Sequence, residues 1–144
     1  MVERNSARDG SFEKLRCDIC ESSCCVETEM TLTKKDAERI DALGYKRLEY
    51  LIKGSDNFCE LRNIDGHCFF YDPETKLCKI YEARPDGCRY YPVVYNARKR
   101  KCVLDDDCPL REKVSRQEMR KVCHKVKKNV ETLMMEAQRS DGAC

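Results

Sequence analysis

Residues 66–92 read GHCFFYDPETKLCKIYEARPDGCRYYP, and the fold turns on this stretch. Short runs of Phe, Tyr, Leu and Ile are punctuated by Asp-Pro at 72–73 and Asp-Gly at 86–87, with another Asp-Gly at 65–66. Aromatic and β-branched residues suit a half-buried pleated surface, and these dipeptides suit tight turns. The pattern predicts small antiparallel hairpins in place of one large sheet. HCFFYD pairs with KLCKIY across DPET, and downstream PVVYN pairs with KCVL across ARKR. Cys68, Cys78 and Cys88 recur every ten residues through the stretch, and Cys102 and Cys108-Pro109 follow it. Tight turns can bring such thiols together from separate segments.

On the N-terminal side stands CDICESSCC, from Cys17 to Cys25, preceded by a loose polar lead-in over residues 1–16. A polar, strand-like run VETEMTL follows it. Thr33 and Asp36 form a capping-box-like start to a helix that buries Ala37, Ile40 and Leu43 and stops at Gly44. Tyr45 to Ile52 reads as a short second helix, with Gly54 and Ser55 as its stop. On the C-terminal side, Ser115 and Glu118 open a helix of about five or six turns. Its apolar residues, Met119, Val122, Val126, Val130, Leu133 and Ala137, make one continuous stripe for core packing. The expected fold is therefore a small α+β, cysteine-rich, metal-held protein. A metal-binding domain spans residues 17–110, and a long C-terminal helix over 111–144 packs on it.

The chain has 144 residues, 41% hydrophobic, 38% charged and 8% aromatic, with no Trp and 12 Cys. Any apolar core must be modest, and cysteine at this density indicates a cross-linked or metal-held scaffold. No run of apolar residues is long enough for a membrane span, and the first residues contain no signal-like apolar segment, so a cytoplasmic location without membrane association is expected. In a reducing compartment, clustered Cys favours metal over disulfides. Thiolates repel one another unless a cation or cluster neutralises them. Cys17, Cys20, Cys24, Cys25, Cys68, Cys78, Cys88 and Cys108 are the candidates, enough for two four-sulfur centres, either zinc or [4Fe–4S]. The irregular gaps, the Cys-Pro and the absence of paired zinc-ribbon knuckles lean towards iron–sulfur. On a helix Cys17, Cys20 and Cys24 point within about a 60° arc that Cys25 leaves, and on a strand Cys24 and Cys25 face opposite sides. Cys25 is therefore expected to serve a second centre or another role.

C-x2-C-x3-C-C, then LTKKDAERIDALG, G-x-C-F-F, C-K-I-Y-E-A-R-P-x-x-C-R-Y-Y-P and a final C-P resemble the YkgJ-type cysteine-cluster family, described as a zinc- or iron-chelating domain. The similarity runs from about Cys17 to Pro109. It implies Cys17, Cys20, Cys24, Cys25, Cys68, Cys78, Cys88 and Cys108 as metal ligands. Flagellin lysine N-methylases share the domain but are much longer, so methyl transfer is not carried over to this chain. Cys59, Cys102, Cys123 and Cys144 depart from the family pattern. Cys123 reads as a small buried hydrophobe, Cys144 as a mobile terminal residue, and Cys59 or Cys102 as a thiol that completes a centre if Cys24 or Cys25 does not.

Arg84 and Arg89 flank Cys88, where a guanidinium beside a thiolate centre would stabilise its negative charge. Tyr81, Tyr90 and Tyr91 read as packing around the sites, and His67 is a weaker ligand candidate than the neighbouring thiols. No phosphate loop, zinc-protease motif, nucleophile elbow or dinucleotide fingerprint is present, which leaves enzymatic activity undecided. Residues 97–128 carry net +7 and the remainder net −5, giving the overall +2. Without aromatic residues interleaved among the cations, this reads as a solvated helix face, and nucleic-acid binding is not favoured. The expected function is metal binding through iron–sulfur centres, for electron transfer, metal handling or support of a protein partner. The rival readings are a zinc-stabilised binding module and a methyltransferase-like or radical accessory enzyme.

Overall fold

The computed structural model describes residues 25–144. Cys17, Cys20 and Cys24 lie outside the described residues, as does the lead-in.

The protein is α+β, with helices joined to small antiparallel strand pairs. Thr33 caps helix α1 (Lys34–Asp41): its side chain accepts from the Asp36 N–H at 3.1 Å, and the Asp36 carboxylate accepts from the Thr33 N–H at 3.0 Å. This reciprocal pair satisfies two otherwise orphaned donors and stabilises the helix start by about 1 kcal/mol. Ala37 and Ile40 are fully buried as expected, but the helix ends before Leu43, which stands 55% exposed. Gly44 takes φ +101°, a conformation that L side chains rarely adopt.

The helix expected over Tyr45 to Ile52 forms only as α2 (Arg47–Tyr50); the chain then becomes strand β1 (Leu51–Lys53). Tertiary pairing overrides helical propensity here, because β1 pairs with β2 (Cys59–Leu61) in the register Leu51↔Leu61. Asp56 and Asn57, both at positive φ, make the turn between them. The strand-like run 26–32 contributes two isolated bridges, Val26↔His67 and Thr31↔Glu60.

The remaining hairpins follow the turn chemistry. β3 (Asn63–Ile64) pairs with β4 (His67–Cys68) across Asp65-Gly66, both at positive φ. β5 (Tyr71–Asp72) pairs with β6 (Leu77–Cys78), and β7 (Val93–Asn96) pairs with β8 (Lys101–Leu104) across residues 97–100. Asp86-Gly87 is no hairpin turn: it opens a short helix, α3 (Asp86–Tyr90). Pro85 sets the helical start, and its carbonyl accepts from the Cys88 and Arg89 N–H groups at 2.9 and 3.2 Å.

The long helix α4 (Arg116–Arg139) starts at the Ser115–Glu118 capping box and runs 24 residues, longer than expected. Val122 and Val126 of its stripe pack with Val93, Cys102 and Val114, with Met119 and Val130 alongside. A separate cluster joins Leu32, Ala37, Ile40, Tyr50, Leu51, Leu61, Phe70 and Ile80. The C-terminal tail returns to this first cluster and inserts Ala143, which is fully buried. Among the described residues no helix is long and apolar enough to cross a membrane.

Candidate metal centre

Two disulfides, Cys59–Cys144 and Cys102–Cys123, account for the four cysteines outside the expected ligand set, with Cα separations of 5.7 and 5.9 Å. This corrects the expectations for each of them. Cys144 is pinned instead of mobile, because the buried Ala143 and a hydrogen bond from Arg47 Nη1 to the Ala143 carbonyl at 3.0 Å bring it to β2. Cys123 is a cross-link as well as a core residue, because β8 packs against α4 at that height. Cys59 and Cys102 are paired and do not complete a centre. The preference for metal over disulfide, argued from compartment alone, fails for these four residues.

Cys25, Cys68, Cys78, Cys88 and Cys108 lie outside both bridges. Cys68 and Cys108 are buried, and the other three are half-buried. The bridge Val26↔His67 is antiparallel, and the Glu27 N–H donates to the Gly66 carbonyl at 2.7 Å. Cys25, in a 3-10 turn just before that bridge, packs against the core cluster that contains Cys68, and so does Cys78. The last residue of the N-terminal cysteine segment is thereby held on the core cluster that the hairpin cysteines share.

The elements that carry Cys88 and Cys108 also border residues 26–31, through Gly87 and Asp107. A Cβ on Gly87 would collide with the Met30 side chain, so α3 packs closely on this segment because position 87 is glycine. After β8, the Asp105 N–H donates to the Pro92 carbonyl at 2.8 Å and the Cys108 N–H to the Asp105 carbonyl at 3.2 Å. A cavity of about 350 Å³ is bounded by Val26–Thr31, Tyr91 and Asp107 among others. Among the described residues, no three Cys, His, Asp or Glu side chains converge as a complete metal site.

Charged residues brace the loop that leads into α3. The fully buried Asp36 accepts at Oδ1 from Arg39 Nη2 and from the Asp86 N–H, each at 3.0 Å. Arg39 Nη2 also donates to the Arg84 carbonyl at 2.6 Å and to Asp86 Oδ1 at 3.3 Å. Arg84 is buried; its Nε donates to the Tyr81 carbonyl at 2.8 Å, and its guanidinium lies 4.0 Å above the Tyr81 ring. Arg89 donates from Nη2 to the Glu82 carbonyl at 2.8 Å and from Nε to the Arg84 carbonyl at 3.3 Å. Arg84 and Arg89 thus hold the backbone of residues 81–84 in place, one turn before Cys88. Burial, reinforced by the Asp36 charge, raises the Asp86 pKa; burial and then Asp86 raise that of Tyr90.

Asp36 and Arg39 were the functional-looking residues that sequence reading missed beyond the cap, since nothing in the one-dimensional pattern pairs α1 with residues 84–86. Removing the Asp36 carboxylate leaves the Thr33 and Asp86 N–H groups without their acceptor and Arg39 with Asp86 as its remaining carboxylate partner. Asp36→Ala is expected to cost about 3 kcal/mol in urea unfolding, with Asp36→Asn recovering part of it. A loss below about 1 kcal/mol would show that the α1–α3 brace carries little.

His67 stacks on Tyr71 with ring centroids 4.5 Å apart, and its Nδ1 lies 3.2 Å from the Asp65 carbonyl. Tyr81 is buried under Arg84, and Tyr90 packs against the second core cluster. His124 is exposed on α4.

The chain is 36% identical over 91 residues to Uncharacterized protein MJ0661 of Methanocaldococcus jannaschii, covering 58% of this chain and 48% of that protein. The chain therefore spans about half the length of this curated relative. No solved structure matches it. The profile of one family extends from the N-terminal cysteine segment into α4, over residues 16–124. By that match the chain belongs to the CxxCxxCC family, whose description is "Putative zinc- or iron-chelating domain".

Proposed function

We propose that this protein carries an iron–sulfur centre and works in electron transfer, metal handling or support of a partner enzyme. The observation that carries the reading is the packing of Cys25 and Cys78 against the core cluster that contains Cys68. It joins the C-x2-C-x3-C-C segment to the cysteines of the hairpins, so that thiols distant in sequence can serve common centres. The donor chemistry fits such a group: soft thiolates in a partly buried setting suit iron–sulfur clusters or zinc. Cys17, Cys20, Cys24, Cys25, Cys68, Cys78, Cys88 and Cys108 would hold one or two such centres, and a bound centre would supply either a one-electron couple or a structural staple. Arg84 and Arg89 would keep the Cys88 loop in register. A potentiometric titration of anaerobically isolated protein is expected to show a reversible one-electron step with an electron paramagnetic resonance signal. A protein silent at every potential would contradict the electron-transfer form of the proposal.

A zinc-stabilised module is the second reading. It is favoured by the two disulfides, which already tie both core clusters to the C-terminal region and make a further purely structural staple consistent with the design. Stoichiometric zinc without sulfide would select it.

A further inference from the structure

The β7–β8 hairpin and the first half of α4 hold the chain's excess positive charge, and the fold joins them into one face. Arg98, Lys99, Arg100 and Lys101 run through the turn into β8, all exposed. The next residue, Cys102, is bonded to Cys123 of α4. At about 100° per residue, Arg116, Arg120 and Lys127 leave the helix within about 60° of Cys123, on the side turned away from the buried Val122 and Val126. All three are exposed. From Arg116 to Lys127 the helix covers about 17 Å. None of these seven cations enters an ion pair among the described residues. On that side of α4 the nearest carboxylate, Glu131, lies one turn beyond Lys127. Uncompensated like charges held this close favour a polyanionic partner.

We propose that this face binds the phosphate backbone of duplex nucleic acid without reading its sequence. The region's aromatic residues, Tyr90 and Tyr95, pack against the second core cluster, so no stacking platform for single-stranded bases is offered. Over the first half of α4, where these cations lie, Met119, Val122, Val126 and Val130 are turned into the core, so the strip has no hydrophobic face of the kind a membrane-surface helix needs. What remains is a cationic strip suited to counterion release from a duplex. The linear sequence shows the same charges, but it does not show the disulfide that sets the hairpin beside the helix.

The test is fluorescence anisotropy of a labelled duplex of mixed sequence with the full chain, isolated anaerobically with its metal. If five or so of the cations contact phosphates, log affinity falls against log salt with a slope of about −4 to −5. The triple variant Arg98→Glu, Arg100→Glu, Arg120→Glu is expected to weaken binding more than tenfold and flatten that slope. Lys53→Glu, exposed on β1, is expected to leave both unchanged. Absence of binding at about 50 mM salt, or equal losses in the triple and the Lys53 variants, would overturn the proposal. So would tighter binding of a polyglutamate peptide or of phosphatidylserine vesicles than of the duplex.

Discussion

Cys68→Ser is expected to lose metal and structure together. Cys68 sits on β4, almost wholly buried in the core cluster that includes Leu61 and Phe70 and against which Cys25 packs. Thiolate–metal bonding in small domains contributes about 10 kcal/mol or more to folding, comparable to the whole net stability of a domain. Losing one ligand therefore removes a large share of what holds the hairpins, and the new hydroxyl is left in an apolar site. Metal content and far-ultraviolet circular dichroism measured on the same preparation should fall in step. Cys88→Ser separates metal loss from packing loss, because Cys88 is only half-buried on α3. A Cys68→Ser protein with full metal content and a native spectrum would remove Cys68 from the centre.

The second large effect belongs to the Cys59–Cys144 bridge. Its two residues are 85 apart in sequence, and closing a loop of that size restricts the unfolded chain by about 4 to 5 kcal/mol on the chain-entropy account. Cys59→Ala, Cys144→Ala should lower the unfolding free energy by roughly that amount in denaturant. It should also expose the tail that carries Ala143, readable as faster proteolysis near the C-terminus. The corresponding loss for Cys102 and Cys123, 21 residues apart, is about 3 kcal/mol. Alkylation of the unfolded, unreduced chain is expected to leave these four cysteines unmodified. Modification of all four would show that the bridges do not form.

Features set by local chemistry were legible in the sequence. The Thr33–Asp36 and Ser115–Glu118 boxes start their helices as read, and Asp65-Gly66 and the residues after Asn96 turn their hairpins. Features that depend on distant partners were not legible. Leu51 and Ile52, read as the end of a helix from Tyr45, become part of strand β1 because Cys59–Leu61 is there to pair with them. Asp86-Gly87 has the composition of a turn, yet Pro85 before it and the Asp36 carboxylate across from it nucleate α3. Around the candidate centre, the sequence pointed to the cysteines but could not show that Cys25 and Cys78 pack on the core cluster that contains Cys68. It also could not show that Cys59, Cys102, Cys123 and Cys144 pair with each other, since disulfide partners are set by spatial proximity and not by spacing. Arg84 is a similar case: the sequence places it near Cys88, while the structure lays it over Tyr81.

Whether the cysteines outside the two disulfides hold iron–sulfur centres is decided by what the isolated protein contains. Anaerobic purification followed by quantitation of iron, zinc and acid-labile sulfide on one sample tests it most directly. The account predicts iron with sulfide in matching amounts and a broad visible absorption that bleaches on reduction. Zinc without sulfide would contradict it, and would leave these cysteines as structural ligands in a module whose activity lies elsewhere on its surface.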